Sequence, residues 1–182
     1  MEHFDLATLQ AGLDQVRAAP SDNGHVELIC RRPATEQREV IDEAVLDERD
    51  GLVGDNWSTR GSKATEDGSA HPDMQLTLMN VRSATLIAGT PERRQLAGDQ
   101  LFVDFDLSVE NLPPGSRLKV GEATLEITEI PHRGCGKFSS RFGVDALKFV
   151  NSEVGRQLNL RGVNARIVEG GVVRSGDAIN KL

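Results

Sequence analysis

From Gln100 to Ile179 the chain is cut into short apolar segments by glycine and proline turns, and this punctuation constrains the fold more than any other feature. Leu101, Val103, Phe105 and Leu107 alternate with Asp104 and Asp106, the two-residue period of a strand with one buried face. Pro113-Pro114-Gly115 turns the chain, and Gly121-Glu122 between segments 117–120 and 123–130 predicts a tight hairpin. Segments 162–168 and 177–179, around Gly170-Gly171, add final strands. Upstream, His25 to Cys30 and Met74 to Asn80 read as strands, whereas Val40 to Leu46 fits either a strand or a short helix.

Helical spacing is confined to a few stretches. Leu6, Leu9, Leu13 and Val16 predict an amphipathic helix over about 5–19, stopped by Pro20. Short helices are expected over 81–88 and 91–96, the latter with Thr90 as N-cap and Pro91 at its first position. After Cys135, Phe142, Ala146, Phe149 and Val150 form one apolar face. Many short strands with few helices between them predict a mainly β fold with peripheral helices, built on a closed or nearly closed β-barrel. The stretch Asp47 to Asp73, rich in Gly, Asp and Ser, is expected to be one long loop, with Gly51 to Asp73 acting as a lid over a barrel mouth. No repeat or linker divides the chain, so one domain over 1–182 is expected.

With 28 acidic and 21 basic side chains in 182 residues, the net charge of −7 disfavours a general nucleic-acid binder. Aromatic residues make up 4% with no Tyr, which also argues against a stacking surface for single strands. No apolar run approaches the ~18 residues of a membrane helix. The acidic start Met-Glu-His-Phe-Asp is unlike a signal peptide, so a cytoplasmic protein with reduced thiols and no membrane partner is expected.

The segment Pro131-His132-Arg133-Gly134-Cys135-Gly136-Lys137-Phe138 carries the most chemical information. Two glycines flank the cysteine and let the backbone or a ligand come close to its sulfur. From Pro131 to Gly143 there are Arg133, Lys137 and Arg141 but no acidic residue. A basic surround favours the thiolate, the form that binds metals and attacks electrophiles. The plain alternative is a buried, inert thiol, the reading that suits Cys30 at the end of an apolar strand. His132, three residues before Cys135, fits a base, a metal ligand or an ordinary loop histidine. A structural zinc site needs four ligands, and only four histidines and two cysteines exist. A cysteine hydrolase built on Cys135 and His132 is disfavoured by their closeness on one loop.

These residues resemble the MOSC family, named for the C-terminal domain of molybdenum cofactor sulfurase. The resemblance rests on Gly98-Asp99-Gln100, Asn111-Leu112-Pro113, Leu125-Glu126-Ile127-Thr128, Pro131-His132, Cys135-x-Lys137-Phe138, Phe142-Gly143, Leu160-Arg161-Gly162 and Gly176-Asp177. Gly51-Leu52-x-Gly54-Asp55-x-Trp57 and Gln75 to Asn80 extend the likeness to the stand-alone bacterial type, over about 26–180. The resemblance implies a MOSC-like barrel and a molybdenum cofactor at Cys135. That residue would be a thiolate ligand to the metal in a reductase of N-hydroxylated compounds, or a persulfide carrier of sulfur. His132, Arg133, Lys137, Arg141, Trp57 and Arg60 are the expected contacts to the anionic pterin and its phosphate. Electrons or sulfur would come from a separate donor protein. The pyridoxal phosphate of the family's namesake is not expected, because that domain has no counterpart here. A barrel that only binds a cofactor or partner, without catalysis, is the alternative.

Other polar residues have plainer readings. Trp57 fits a loop anchor as well as a pterin wall, and Asp104 and Asp106 fit a solvated face. His71 marks the end of the long loop. Asn80 and Arg82 end a strand, where barrel mouths often place ligand groups.

Overall fold

A computed structural model of the chain describes residues 3–182. The elements in chain order are α1 (Leu6–Ala11), α2 (Leu13–Arg17), β1 (Gly24–Arg31), β2 (Glu39–Ile41), β3 (Glu43–Asp47), β4 (Gly51–Leu52) and α3 (Trp57–Arg60). There follow β5 (Leu76–Asn80), α4 (Val81–Ala88), β6 (Leu101–Asp104), β7 (Arg117–Val120) and β8 (Ala123–Ile127). The last are α5 (Gly136–Phe142), α6 (Val144–Asn151), α7 (Glu153–Gln157), β9 (Val163–Glu169), β10 (Gly171–Arg174) and β11 (Ala178–Lys181). Short 3-10 turns occupy Pro72–Met74 and Pro91–Ala97.

Seven strands close in the order β1-β11-β7-β8-β9-β5-β6 and back to β1, with β2 appended to β1. Every described pairing around the barrel is antiparallel except β5–β6, which is parallel and joined through α4. Parallel neighbours need such a crossover because the chain must return to the same end of the sheet. Closure leaves only short edges exposed. A small sheet, β10-β3-β4, covers one side. The ambiguous stretch 40–46 thus becomes parts of two strands.

Two apolar layers hold the molecule together. Val26, Leu78, Leu101, Val103, Leu125 and Ala165 fill the barrel. Cys30, Met79 and Phe102 point outward from the same strands and pack under α4, α5 and α6, against Phe138, Phe142 and Phe149. β6 is therefore buried on both faces, and its continuous Leu-Phe-Val run replaces strict alternation where helices cover the sheet. Helix makes up about 29% of the chain, as much as the 28% in strands.

Two expectations change. The N-terminal helix is broken at Gly12, which caps α1. A Cβ there would lie 2.3 Å from a Leu86 methyl, so any larger residue would have to displace that side chain of α4. The stretch 47–73 is not one loop, for it contains β4, α3 and the turn at Pro72. Asp55 pins it: its carboxylate accepts from Arg32 Nε and Nη2, both at 2.8 Å, and from the Trp57 backbone N–H. Among the described residues no helix is long and apolar enough to cross a membrane.

Candidate functional site

The cysteine loop leaves β8 and runs to α5, and a single buried strut holds it in place. His132 Nε2 lies 3.0 Å from Asp99 Oδ1, and Arg161 Nη1 lies 2.6 Å from Asp99 Oδ2. Asp99 is fully buried two residues before β6, and Arg161 is 7% exposed just before β9. Burial alone would raise the Asp99 carboxyl, but Arg161 and His132 outweigh it and hold it well below the usual carboxylate range. Burial, then Arg161, lowers the His132 imidazole, only partly offset by Asp99. His132 is therefore neutral at pH 7 and donates from Nε2 to an ionised Asp99.

Gly134 fixes the next step of the loop. Its N–H and C=O bond the Asn151 side chain at 3.0 and 3.1 Å. A Cβ at Gly134 would meet Val150 at 2.8 Å, whereas one at Gly136 would meet nothing. The two glycines differ in role. One docks the loop on α6, and the other leaves the approach to Cys135 open. Neither has a positive φ, so backbone freedom is not what they supply.

Cys135 is exposed, at the N-cap of α5 with extended backbone. It lies on the wall of a cleft of about 220 Å³ shared with Arg32, Arg38, Arg60, Lys137, Arg141 and Arg161. Asp55 and Asp99 pair with Arg32 and Arg161 from behind. Glu36 bonds Lys137 Nζ at 3.1 Å and also Arg141 Nη2. One carboxylate against four remaining cations leaves the cleft strongly positive. Burial, then repulsion from neighbouring arginines, depresses both Arg38 and Arg60. Two side chains that line this cleft alone bury a polar atom with no protein partner, Arg38 Nε and Asn56 Oδ1, and two more do so in a wall shared with a neighbouring cavity, Arg161 Nε and Asn164 Oδ1. Buried polar atoms are rarely left so, and their clustering in one cleft marks a place built for a polar ligand.

Of the residues expected from sequence, the cleft brings together Cys135, His132, Lys137, Arg141 and Arg60. It does not gather the other two. Arg133 lines a neighbouring cavity. Trp57 is 6% exposed and seats its ring over Gly51, whose φ is +76°, so it anchors its loop. Asn80 is spent as the N-cap of α4, and Arg82 pairs with Asp104 at 2.7 Å, away from the cleft. His71 caps the turn at Pro72. Sequence reading missed Arg38 and Glu36 altogether and left Arg32 and Arg161 without a role. Arg31-Arg32 directly after a strand, and the glycine flanking Arg161, were the only signals. The surround of Cys135 is also not purely basic, since Glu36 arrives from the β1–β2 loop. Among the described residues no three His, Cys, Asp or Glu side chains converge as a metal-binding set. Cys135 is the one thiol in the lining of the cleft, which also includes the Met74 thioether.

Comparison with solved structures shows the fold is shared. The YuaD protein of Bacillus subtilis superposes with a TM-score of 0.64 at 18% identity, covering 86% of this chain and 94% of that one. YiiM from Escherichia coli gives 0.56 at 19% identity over 86% and 69% of the two chains. YiiM from Geobacillus stearothermophilus gives 0.57 at 12% identity over 87% and 75%. A search of curated proteins found no match. The family model of the MOSC domain matches residues 71–180, a span that holds the strut, the cysteine loop and α5 to α7. With that match over more than half its length, the chain belongs to the MOSC domain family.

Proposed function

We propose that the cleft binds the molybdenum cofactor, with Cys135 as thiolate ligand to the metal or as carrier of a persulfide sulfur. The observation that carries this reading is the surplus of positive charge and orphaned buried polar atoms around one exposed thiol. The donor set fits the group. A soft thiol suits molybdenum or sulfane sulfur, arginine forks suit a phosphate, and buried donors and acceptors suit the edges of a pterin. Bound there, the cofactor would supply two-electron chemistry at the metal, such as reduction of an N-hydroxylated compound, with electrons from a separate protein.

The chain's own residues have definite tasks in this reading. Arg38, Arg60, Lys137 and Arg141 attract and hold the anion. Glu36 keeps Lys137 and Arg141 in place and must yield them when a phosphate arrives. Asp99 and Arg161 fix His132, which keeps the loop at one height and leaves Nδ1 without a hydrogen bond among the described residues. Arg133 and Trp57 are left out, since they do not line the cleft. Molybdenum per chain, measured after production in a host with intact cofactor synthesis, tests the proposal. The wild type should carry the metal, Cys135→Ala should lose it without loss of fold, and Arg38→Ala should retain less. Metal-free wild type from such a host would reject the reading in favour of a barrel that binds another anion.

A further inference from the structure

A second cavity, of about 260 Å³, lies on the other side of the wall formed by His132, Arg161 and Asn164. Leu112, Ile127, Ile130 and Val163 give it an apolar side. Arg133 and Arg156 line it too, both exposed. Neither guanidinium has an ion pair or side-chain hydrogen bond among the described residues. Most arginines of this chain are paired, including Arg32, Arg82, Arg117, Arg161 and Arg174. Glu129 shares the lining and is exposed, so the three charges sum to plus one.

The shared wall is polar and unsatisfied. Asn164 is 0% exposed and donates from Nδ2 to Ile130 O, on this cavity's own wall, at 2.9 Å. Its Oδ1 has no partner. Arg161 spends Nη1 on Asp99 and Nη2 on Ala97 O, and its Nε has no partner. The wall therefore offers a buried acceptor that needs a donor and a buried donor that needs an acceptor. A polar group of a ligand lying against this wall would give either atom the partner it lacks.

We infer that this cavity is a binding site for a small organic monoacid. Its carboxylate meets Arg133 and Arg156, its apolar body fills the cavity, and a neutral donor–acceptor group at its other end reaches Arg161 Nε and Asn164 Oδ1. The plus-one balance favours one negative charge over two. The cavity abuts the Cys135 cleft through His132, which places such a molecule one side chain away from whatever the cleft holds. Arg161 Nε and Asn164 Oδ1 belong to the wall that the two cavities share, whereas Arg38 Nε and Asn56 Oδ1 line the cleft alone, so the inference stands whether or not the cleft holds molybdenum.

The test uses 4-hydroxybenzoate as probe, 4-hydroxybenzamide as its uncharged counterpart, and titration of the purified full chain by calorimetry. The acid should bind and the amide should bind far more weakly. Replacing both rim arginines, R133A with R156A, should weaken the acid about tenfold, as expected for two exposed charge contacts. Val109 lines the cavity yet is 50% exposed, so V109W should block entry without disturbing the core. Inorganic phosphate, which probes the cleft, should not compete. Equal binding of acid and amide, indifference to both sets of variants, or displacement by phosphate would each overturn the inference. Molybdenum content of the same variants is read separately and bears only on the cleft.

Discussion

Two ion networks lie within one cleft, and they are opposites. Asp99 with Arg161 and His132 is buried, and Asp99 Oδ1 and Oδ2 each have one partner. Glu36 with Lys137 and Arg141 has similar distances, yet the side chains of Glu36 and Lys137 are 57% and 67% exposed. Desolvation makes the first network costly to break, because a lone charge would remain in the interior. Water and salt make the second exchangeable, because each partner can be solvated when the other leaves. A site that must keep its shape while admitting an anion needs both kinds. Depth, and not the residue types, assigns the roles.

The sharpest way to break this contrast is Asp99→Asn. It keeps the shape but leaves the Arg161 charge buried and uncompensated, and should cost about 3–5 kcal/mol in denaturant unfolding. A loss no larger than that of a surface substitution would show that Arg161 finds water or another anion.

The two cysteines extend the comparison. Cys30 is buried under the helices, and burial pushes its thiol up to about 11, against a smaller opposing pull from Arg38 and Arg32. Cys30→Ser should cost about 1–3 kcal/mol, since it buries a hydroxyl where the weakly polar thiol stood. Cys135→Ser should leave the unfolding midpoint unchanged. In the native protein a thiol reagent should label one sulfur rapidly, and that signal should vanish in Cys135→Ser and persist in Cys30→Ser.

His132 sharpens the contrast through pH. Its folded pKa lies below the ordinary histidine value near 6.5, so the unfolded chain takes up the proton first on acidification. The stability it contributes is present above that value and is lost as pH falls through the folded one. Asp99 adds a second loss below about 3.9, where the unfolded carboxylate protonates and the folded one does not. Thermal unfolding between pH 7 and pH 5 should therefore slope downward with acid in the wild type, and less so in His132→Gln. Identical slopes would place the titration elsewhere.

The smallest expected change in stability comes from Glu36→Gln. This variant should melt like the wild type and bind inorganic phosphate roughly threefold or more tightly, because Lys137 and Arg141 lose an internal competitor. Unchanged phosphate affinity would mean that the carboxylate supports the cations without competing for them.

The barrel was open to reading in the chain because strand faces repeat every two residues, as in Leu101, Val103 and Phe105. The Gly121-Glu122 hairpin was legible for the same kind of reason, since turn chemistry is local. Phe102 shows where local reading stops: its burial depends on helices on both sides of it in the chain, α4 before it and α5 and α6 more than thirty residues after it, which no strand period announces. The cysteine loop also stood out, because Cys135, Lys137 and Arg141 lie close together along the chain. Their partners did not. Arg32, Glu36 and Arg38 follow β1, and Arg60 ends α3. Charged side chains carry no period that predicts a distant neighbour, so only closure of the barrel set them beside Cys135. The sequence by itself determined a β-barrel with one basic cysteine loop. Tertiary structure alone decided that Glu36 would sit among its cations, that Trp57 would be an anchor, and that Asp99 would be buried as the strut. The reason is physical: strand and turn preferences act between neighbours, whereas burial and charge pairing act across whatever space the closed fold brings together.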